Sequence, residues 1–138
     1  MKPEAIFVPV AVLAIWTQLV AFMTGMTRVR AARAGRVRPG AFKFGESPDV
    51  PNDVAVVNRN LMNLLEMPVL FYVVTFGFYV TQHARPGVIW LSGVYVALRI
   101  AHSIIHLTSN RIIPRLTVFA ASNAVLLTMW LRFLRRVI

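Results

Sequence analysis

Residues 59–80 read RNLMNLLEMPVLFYVVTFGFYV: an arginine, asparagines and a glutamate, then a proline, then an apolar run without a charge. On a helix rising about 1.5 Å per residue, residues 64–80 with the turns before them are long enough for a hydrocarbon core of ~30 Å. The stretch reads as a membrane-crossing helix with polar groups gathered at its mouth. It extends backward to about residue 54.

The rest of the chain fits that reading. Of 138 residues, 57% are hydrophobic and only 14% charged, and the mean hydropathy is +0.64. A water-soluble domain of this length has too much surface for its volume to hide so many apolar side chains. Apolar runs of spanning length recur over residues 6–26, 54–80, 87–107 and 115–134. They predict an all-α, integral membrane four-helix transmembrane bundle, a single domain over residues 1–138. The turns TQHARPG (81–87) and TSNRIIP (108–114) are short, so the helices they join are antiparallel. Pro86 and Gly87 act as breakers, and Pro114 suits a first helical turn.

Only the connection 27–52 is long. It opens TRVRAARAGRVRPG, which prolongs the first helix until Gly35 or Pro39-Gly40 ends it. It continues FKFGESPDVPND (42–53), where Pro48 and Pro51 oppose regular helix and Asp53 is placed to cap the second span. The N-terminal run, with one lysine before it and dense arginines after it, reads as an anchor and not a cleaved signal.

The chain has no cysteine, which excludes disulfides, thiolate metal sites and a cysteine nucleophile. Its net charge is +10, but the cations flank apolar runs, a pattern of membrane topology and anionic headgroups; nucleic acid is not expected. Arg28, Arg30, Arg33, Arg36, Arg38, Lys43, Arg111 and Arg115 lie on one side; Lys2, Arg85, Arg132, Arg135 and Arg136 lie on the other. The imbalance puts the loops after the first and third spans in the cytoplasm and both termini outside, in the inner (cytoplasmic) membrane if the protein is bacterial.

Arg59, Asn63 and Glu66 stand at i, i+4 and i+7, one stripe of a helix. Glu66 lies inside the apolar run, where a carboxylate needs a partner or a proton. Pro68 removes a backbone donor and predicts a bend over residues 64–68. On the third span Arg99, His102 and His106 form a second column with Ser103 beside it, and Arg115 opens the fourth span at the same end. The polar residues thus converge at one depth, near the cytoplasmic face in this orientation. Guanidinium groups there suit carboxylates, and Glu66 suits an ammonium. A structural Arg99–Glu66 ion pair explains the same residues equally well. A metal on His102 and His106 lacks a third ligand, so no metal is expected. Gln18 and Asn123 are expected to make interhelix hydrogen bonds, and Ala120, Ala121, Ser122 and Ala124 close contacts.

Arg59-x3-Asn63-x2-Glu66 in RNLMNLLEMP resembles the second-helix signature of the MAPEG family, membrane-associated proteins in eicosanoid and glutathione metabolism. LRIAHSIIHLTSNRIIPRLTVF resembles that family's third-to-fourth helix junction, through Arg99-x2-His102 and Arg115. The length, the four spans and the basic first loop agree, so the resemblance covers essentially the whole chain; it includes the family's uncharacterised bacterial branch. It implies a homotrimer with sites between subunits that open to the cytoplasm. It implies glutathione as co-substrate, held by Arg59, Asn63 and Glu66, with Arg28 reaching its carboxylates and Arg99, His102 and His106 lining the pocket. Arg115 takes the place of the catalytic arginine that stabilises the thiolate. The eicosanoid-type members carry tyrosines where this chain has His106 and Phe119, and Tyr95 is no evident substitute.

Two functions follow. One is a membrane-bound glutathione-dependent transferase or peroxidase acting on lipophilic electrophiles or lipid hydroperoxides that arrive through the lipid bilayer. The other is a non-catalytic membrane protein that binds lipid or a protein partner, its polar column being an ion-pair network.

Overall fold

The computed structural model describes residues 2–43 and 47–138. Residues 44–46, within the stretch expected to be irregular, lie outside the described residues, as does Met1. The chain forms α1 (Phe7–Arg33), α2 (Asn52–Glu66), α3 (Pro68–Val80), α4 (Pro86–Leu107) and α5 (Ile112–Val137), with short 3-10 turns at Pro3–Ile6 and Pro39–Phe42. Taken with the turn before α1 and with α2 and α3 as one, these make four helical segments long and apolar enough to cross a membrane. Each segment contains one of the four apolar runs read from the sequence and extends beyond it.

Each helix end has a local cause. Gly35, at φ +68°, closes α1: its N–H donates to the Ala32 carbonyl and the Arg36 N–H to that of Ala31. This Schellman arrangement needs a left-handed residue, which glycine supplies without a Cβ penalty. Gly35 is therefore the stop, and not Pro39-Gly40. Gln82 (φ 59°) and Asn110 (φ 47°) take the left-handed position after α3 and α4. The N-cap of α2 is Pro51, not Asp53. Asp53 sits inside the first turn, where a carboxylate favours the helix dipole, and accepts from Arg36 Nη2 at 2.7 Å and Nη1 at 3.0 Å.

Pro68 divides the second span as expected. The helical ladder breaks at Met67, whose φ of −65° and ψ of −36° remain helical. The consequence is chemical as much as geometric. Pro68 has no N–H to give the Leu64 carbonyl, so the ladder is interrupted one turn beyond Asn63.

The core runs the length of the bundle through Leu13, Val20, Leu64, Phe71, Val74, Tyr95 and Met129. Phe71 stacks on Tyr95 at 4.5 Å between centroids. A smaller cluster of Ala31, Val37, Val50, Val54 and Ala55 fastens the first loop to α1 and α2. Helix α4 is the most enclosed span, with 44% of its most apolar window buried, and α5 the least at 17%. The apolar outer faces, which include Phe22, Phe76, Trp90 and Leu116, match a lipid bilayer, so the protein is an integral, multi-pass membrane protein. Of the small residues on α5, Ser122 is buried but Ala120, Ala121 and Ala124 are exposed.

At the far end, α5 leans on α3 through Gly77. A Cβ there would lie 3.0 Å from Phe133 Cζ, so close that the ring would have to shift. Gly77→Val is expected to destabilise the bundle by about 1–3 kcal/mol through overpacking. Thermal unfolding in detergent measures this, and an unchanged midpoint would show that the α3–α5 contact is loose.

Candidate functional site

The polar column of α4 is buried inside the bundle. Arg99 and Ser103 have no exposed surface, and His102 and His106 are each 4% exposed. A wholly buried guanidinium is costly unless its donors are used. Arg99 Nη2 donates to the backbone carbonyl of Asn63 in the last turn of α2. Its guanidinium carbon lies 5.5 Å from the centre of the Phe119 ring, a cation–π placement. Arg99 Nε and Nη1 are buried with no hydrogen-bond partner.

The expected alternative, an Arg99–Glu66 ion pair, does not form. Glu66 is exposed, and among the described residues the one salt bridge is Arg36–Asp53. The reason is rotational: three residues beyond Asn63, and on the other side of the column from the α4 contact, Glu66 faces out of the bundle. Arg59 also faces out and is exposed, with its carbonyl accepting from Asn63 Nδ2 at 3.0 Å. The stripe predicted on α2 therefore exists, but only its middle member turns partly inward.

A cavity of 230 Å³ opens at this depth, lined by Asn63, His102, His106, Arg115 and Phe119, with Ile112 and Leu116 at its apolar edge. His102 Nδ1 lies 3.1 Å from the Arg115 carbonyl, which pins the start of α5 to α4. His102 Nε2 and His106 Nδ1 are buried without partners, and the two imidazoles stand 6.0 Å apart. Arg115 Nη1 donates to Asn110 Oδ1 at 2.5 Å, so the residue in the left-handed turn aims the guanidinium. Asn110 was not foreseen; its sequence sign is an asparagine where a helix must stop.

The structure therefore brings together Asn63, His102, His106 and Arg115, with Arg99 one layer behind Phe119. It does not bring Arg28, Arg59 or Glu66 to the cavity. Arg28 is tied between helices instead, donating to Asn58 Oδ1 at 2.9 Å and lying 5.0 Å from the Phe42 ring centre. Tyr95 stays in the core, its hydroxyl buried and unpartnered. Among the described residues no group of three His, Cys, Asp or Glu side chains comes together.

Sequence reasoning also missed the junction that holds the site's helices. Ser103 Oγ accepts from Asn60 Nδ2 at 2.7 Å and from Trp16 Nε1 at 2.9 Å, joining α4 to α2 and α1. Asn60 has no exposed surface. It lies next to Arg59 but one residue round the helix, which carries it off the predicted stripe and into the core. Conversely, the expected interhelix partners fail: Gln18 is exposed, and Asn123 Oδ1 is buried without a partner in the chain.

Fold and site together define a polytopic α-helical membrane protein with a cationic, imidazole-lined cavity at one end of its bundle. The chain matches the MAPEG family over residues 6–135 and belongs to it. Among curated proteins and among solved structures, none matches the chain significantly.

The Ser103 junction yields a direct test. Ser103→Ala leaves the Trp16 and Asn60 donors without their acceptor and should cost about 1–3 kcal/mol. Unfolding in detergent reads the loss, and a change below a few tenths would mean that other acceptors replace the hydroxyl.

Proposed function

We propose that the protein is a membrane-bound, glutathione-dependent transferase or peroxidase acting on lipophilic electrophiles or lipid hydroperoxides. The observation that carries this reading is the set of buried, unpartnered donors and acceptors at one depth: Arg99 Nε and Nη1, His102 Nε2 and His106 Nδ1. Buried polar atoms are rarely left unsatisfied; the two imidazoles line a cavity that a polar ligand can complete, and Arg99 lies behind its Phe119 wall. The open Arg99–Glu66 pair weighs against the non-catalytic ion-pair network.

The cavity within one chain is small beside the usual ~300–1,000 Å³ of a ligand pocket. Glutathione therefore requires a wall from outside this chain. Arg59 and Glu66, exposed on the outward stripe of α2, are placed to supply contacts across such a seam. A homotrimer, general in the family, closes the seam with a neighbouring copy. In that assembly Arg59 binds a glutathione carboxylate, Glu66 its ammonium and Asn63 its backbone, while Arg28 buttresses α2 and stands at the approach. His102 and His106 line the inner wall, with Arg99 behind Phe119.

Arg115 is the catalytic residue in this reading. Its guanidinium, aimed by Asn110, favours the ionised thiol over the neutral one. In the transferase reaction the thiolate sulfur bonds to the electrophilic carbon as the leaving group departs. In the peroxidase reaction two glutathione molecules are oxidised to their disulfide, and the hydroperoxide is reduced to alcohol and water. The apolar edge at Ile112 and Leu116 gives a lipophilic partner a route from the bilayer. With the basic first loop in the cytoplasm, the cavity opens to the compartment that holds the thiol, and the loop's charge draws an anionic ligand.

The test is binding followed by turnover. Purified wild-type protein should bind glutathione saturably at millimolar concentration or below, with Arg59→Ala and Glu66→Ala each weakening it about tenfold, the loss of one charged hydrogen bond. Arg115→Ala should slow conjugation by about a hundredfold or more while changing affinity little, as for loss of a transition-state charge contact. No saturable binding would sink the reading, and an unaltered rate in Arg115→Ala would remove that residue's role.

A further inference from the structure

A larger cavity lies at the opposite end of the bundle. It measures 490 Å³, lies between the α3–α4 turn and the end of α5, and is floored by Phe78 and Val88. Its rim is cationic: Arg85 comes from the turn, and Arg132, Arg135 and Arg136 from α5. A position in the last turn of α5 accounts for Arg135 and Arg136, whose charges favour that helix's dipole. It does not account for Arg85, from a separate segment, or for Arg132, and all of them surround one space.

None of these guanidinium groups meets a carboxylate. The one salt bridge among the described residues lies at the other end, and Glu4, the acidic residue at this end, does not line the cavity. His83, also on the wall, has its Nδ1 buried without a partner. Gly87 leaves the first turn of α4 uncovered, and a Cβ there would come within 3.7 Å of Arg132 Nη1. The guanidinium thus stands directly over the start of a 22-residue helix; the Val88 and Ile89 N–H groups there are held by the Arg85 carbonyl, but the positive end of the dipole still favours an anion. The whole rim calls for one ligand of concentrated negative charge.

Position identifies its source. Helices α3 and α5 end and α4 begins here, so the cavity lies at headgroup depth. Exposed apolar side chains stand on the same ends of these helices: Val80 is 59% exposed, Trp90 71% and Leu134 50%. A free anion has no use for that wall, whereas acyl chains do, and tryptophan is at home in this layer. We propose that this end of the bundle is a binding site for the phosphate headgroup of an anionic phospholipid, clamped by Arg85 and Arg132 and enclosed by Arg135, Arg136 and His83. The arginines that count against the expected topology thereby acquire their own reason to be there. The site is independent of the cavity at Arg115.

Native mass spectrometry of the full chain released from detergent tests this, with phosphatidylglycerol and phosphatidylcholine of matched acyl chains as probes. The wild type should retain one phosphatidylglycerol in preference to phosphatidylcholine. Arg85→Gln/Arg132→Gln should weaken that event roughly tenfold or more, as expected for two cations near an anionic headgroup. Arg85→Lys/Arg132→Lys should keep most of it, since a phosphate accepts a point charge. Arg30→Gln/Arg33→Gln, at the other end, should leave it intact. Equal retention of the two lipids, an unchanged affinity in the glutamine pair, or loss in the lysine pair as complete as in the glutamine pair would overturn the proposal. Displacement of the lipid by inorganic phosphate at comparable concentration would also overturn it, by making the site a pocket for a free anion.

Discussion

The buried guanidinium of Arg99 sets the terms for the rest of this bundle. It lies in the middle of the most enclosed helix with no carboxylate to neutralise it, and its charge can be held only by dipoles. Arg99 takes one of them, the carbonyl of Asn63 in the last turn of α2. The face of Phe119 from α5 supplies a second, weaker acceptor. A side chain that would otherwise cost several kcal/mol to bury thus becomes the point at which α2, α4 and α5 register against one another.

That arrangement leaves polar capacity unused at the depth of the site. Two nitrogens of Arg99 and one of each imidazole remain without partners, although the neighbouring Ser103 junction is satisfied by Asn60 and Trp16. The contrast separates two roles within one column. Ser103 fixes the positions of three helices, and Arg99, His102 and His106 stay available. The two ends of the molecule also differ in kind. At the Arg115 end the cations and imidazoles are held by the backbone and by Asn110 around a small cavity. At the Arg132 end they stand on a wide, open rim beside exposed apolar surface.

Much of this was legible in the sequence, unevenly. The spans were, because hydropathy summed over about twenty residues is a local property that packing does not alter. So was the depth of the polar residues, since helical rise turns spacing into distance. Partners were not legible. Glu66 and Arg99 looked like an ion pair because both lie in apolar runs at one depth, yet a rotation of α2 sends one outward and leaves the other inside. Asn60 looked like part of a wet helix mouth and is buried. Asn123 and Gln18 looked like hydrogen-bonding residues of the bundle and find no partner in it.

The sequence by itself determined that this chain crosses a membrane as helices, roughly where they break, and at which end of the bundle its charges lie. Each of those follows from hydropathy, from residues such as Gly35 and Pro68, and from the fixed rise of a helix. Only the tertiary structure decided which side chains meet: Arg99 with a carbonyl and not a carboxylate, His102 with the backbone of Arg115, Arg132 over the first turn of α4. Those outcomes depend on how each helix is rotated about its axis. That rotation is set by the packing of whole faces, with Gly77 against Phe133 and Phe71 on Tyr95, and no single stretch of sequence contains it.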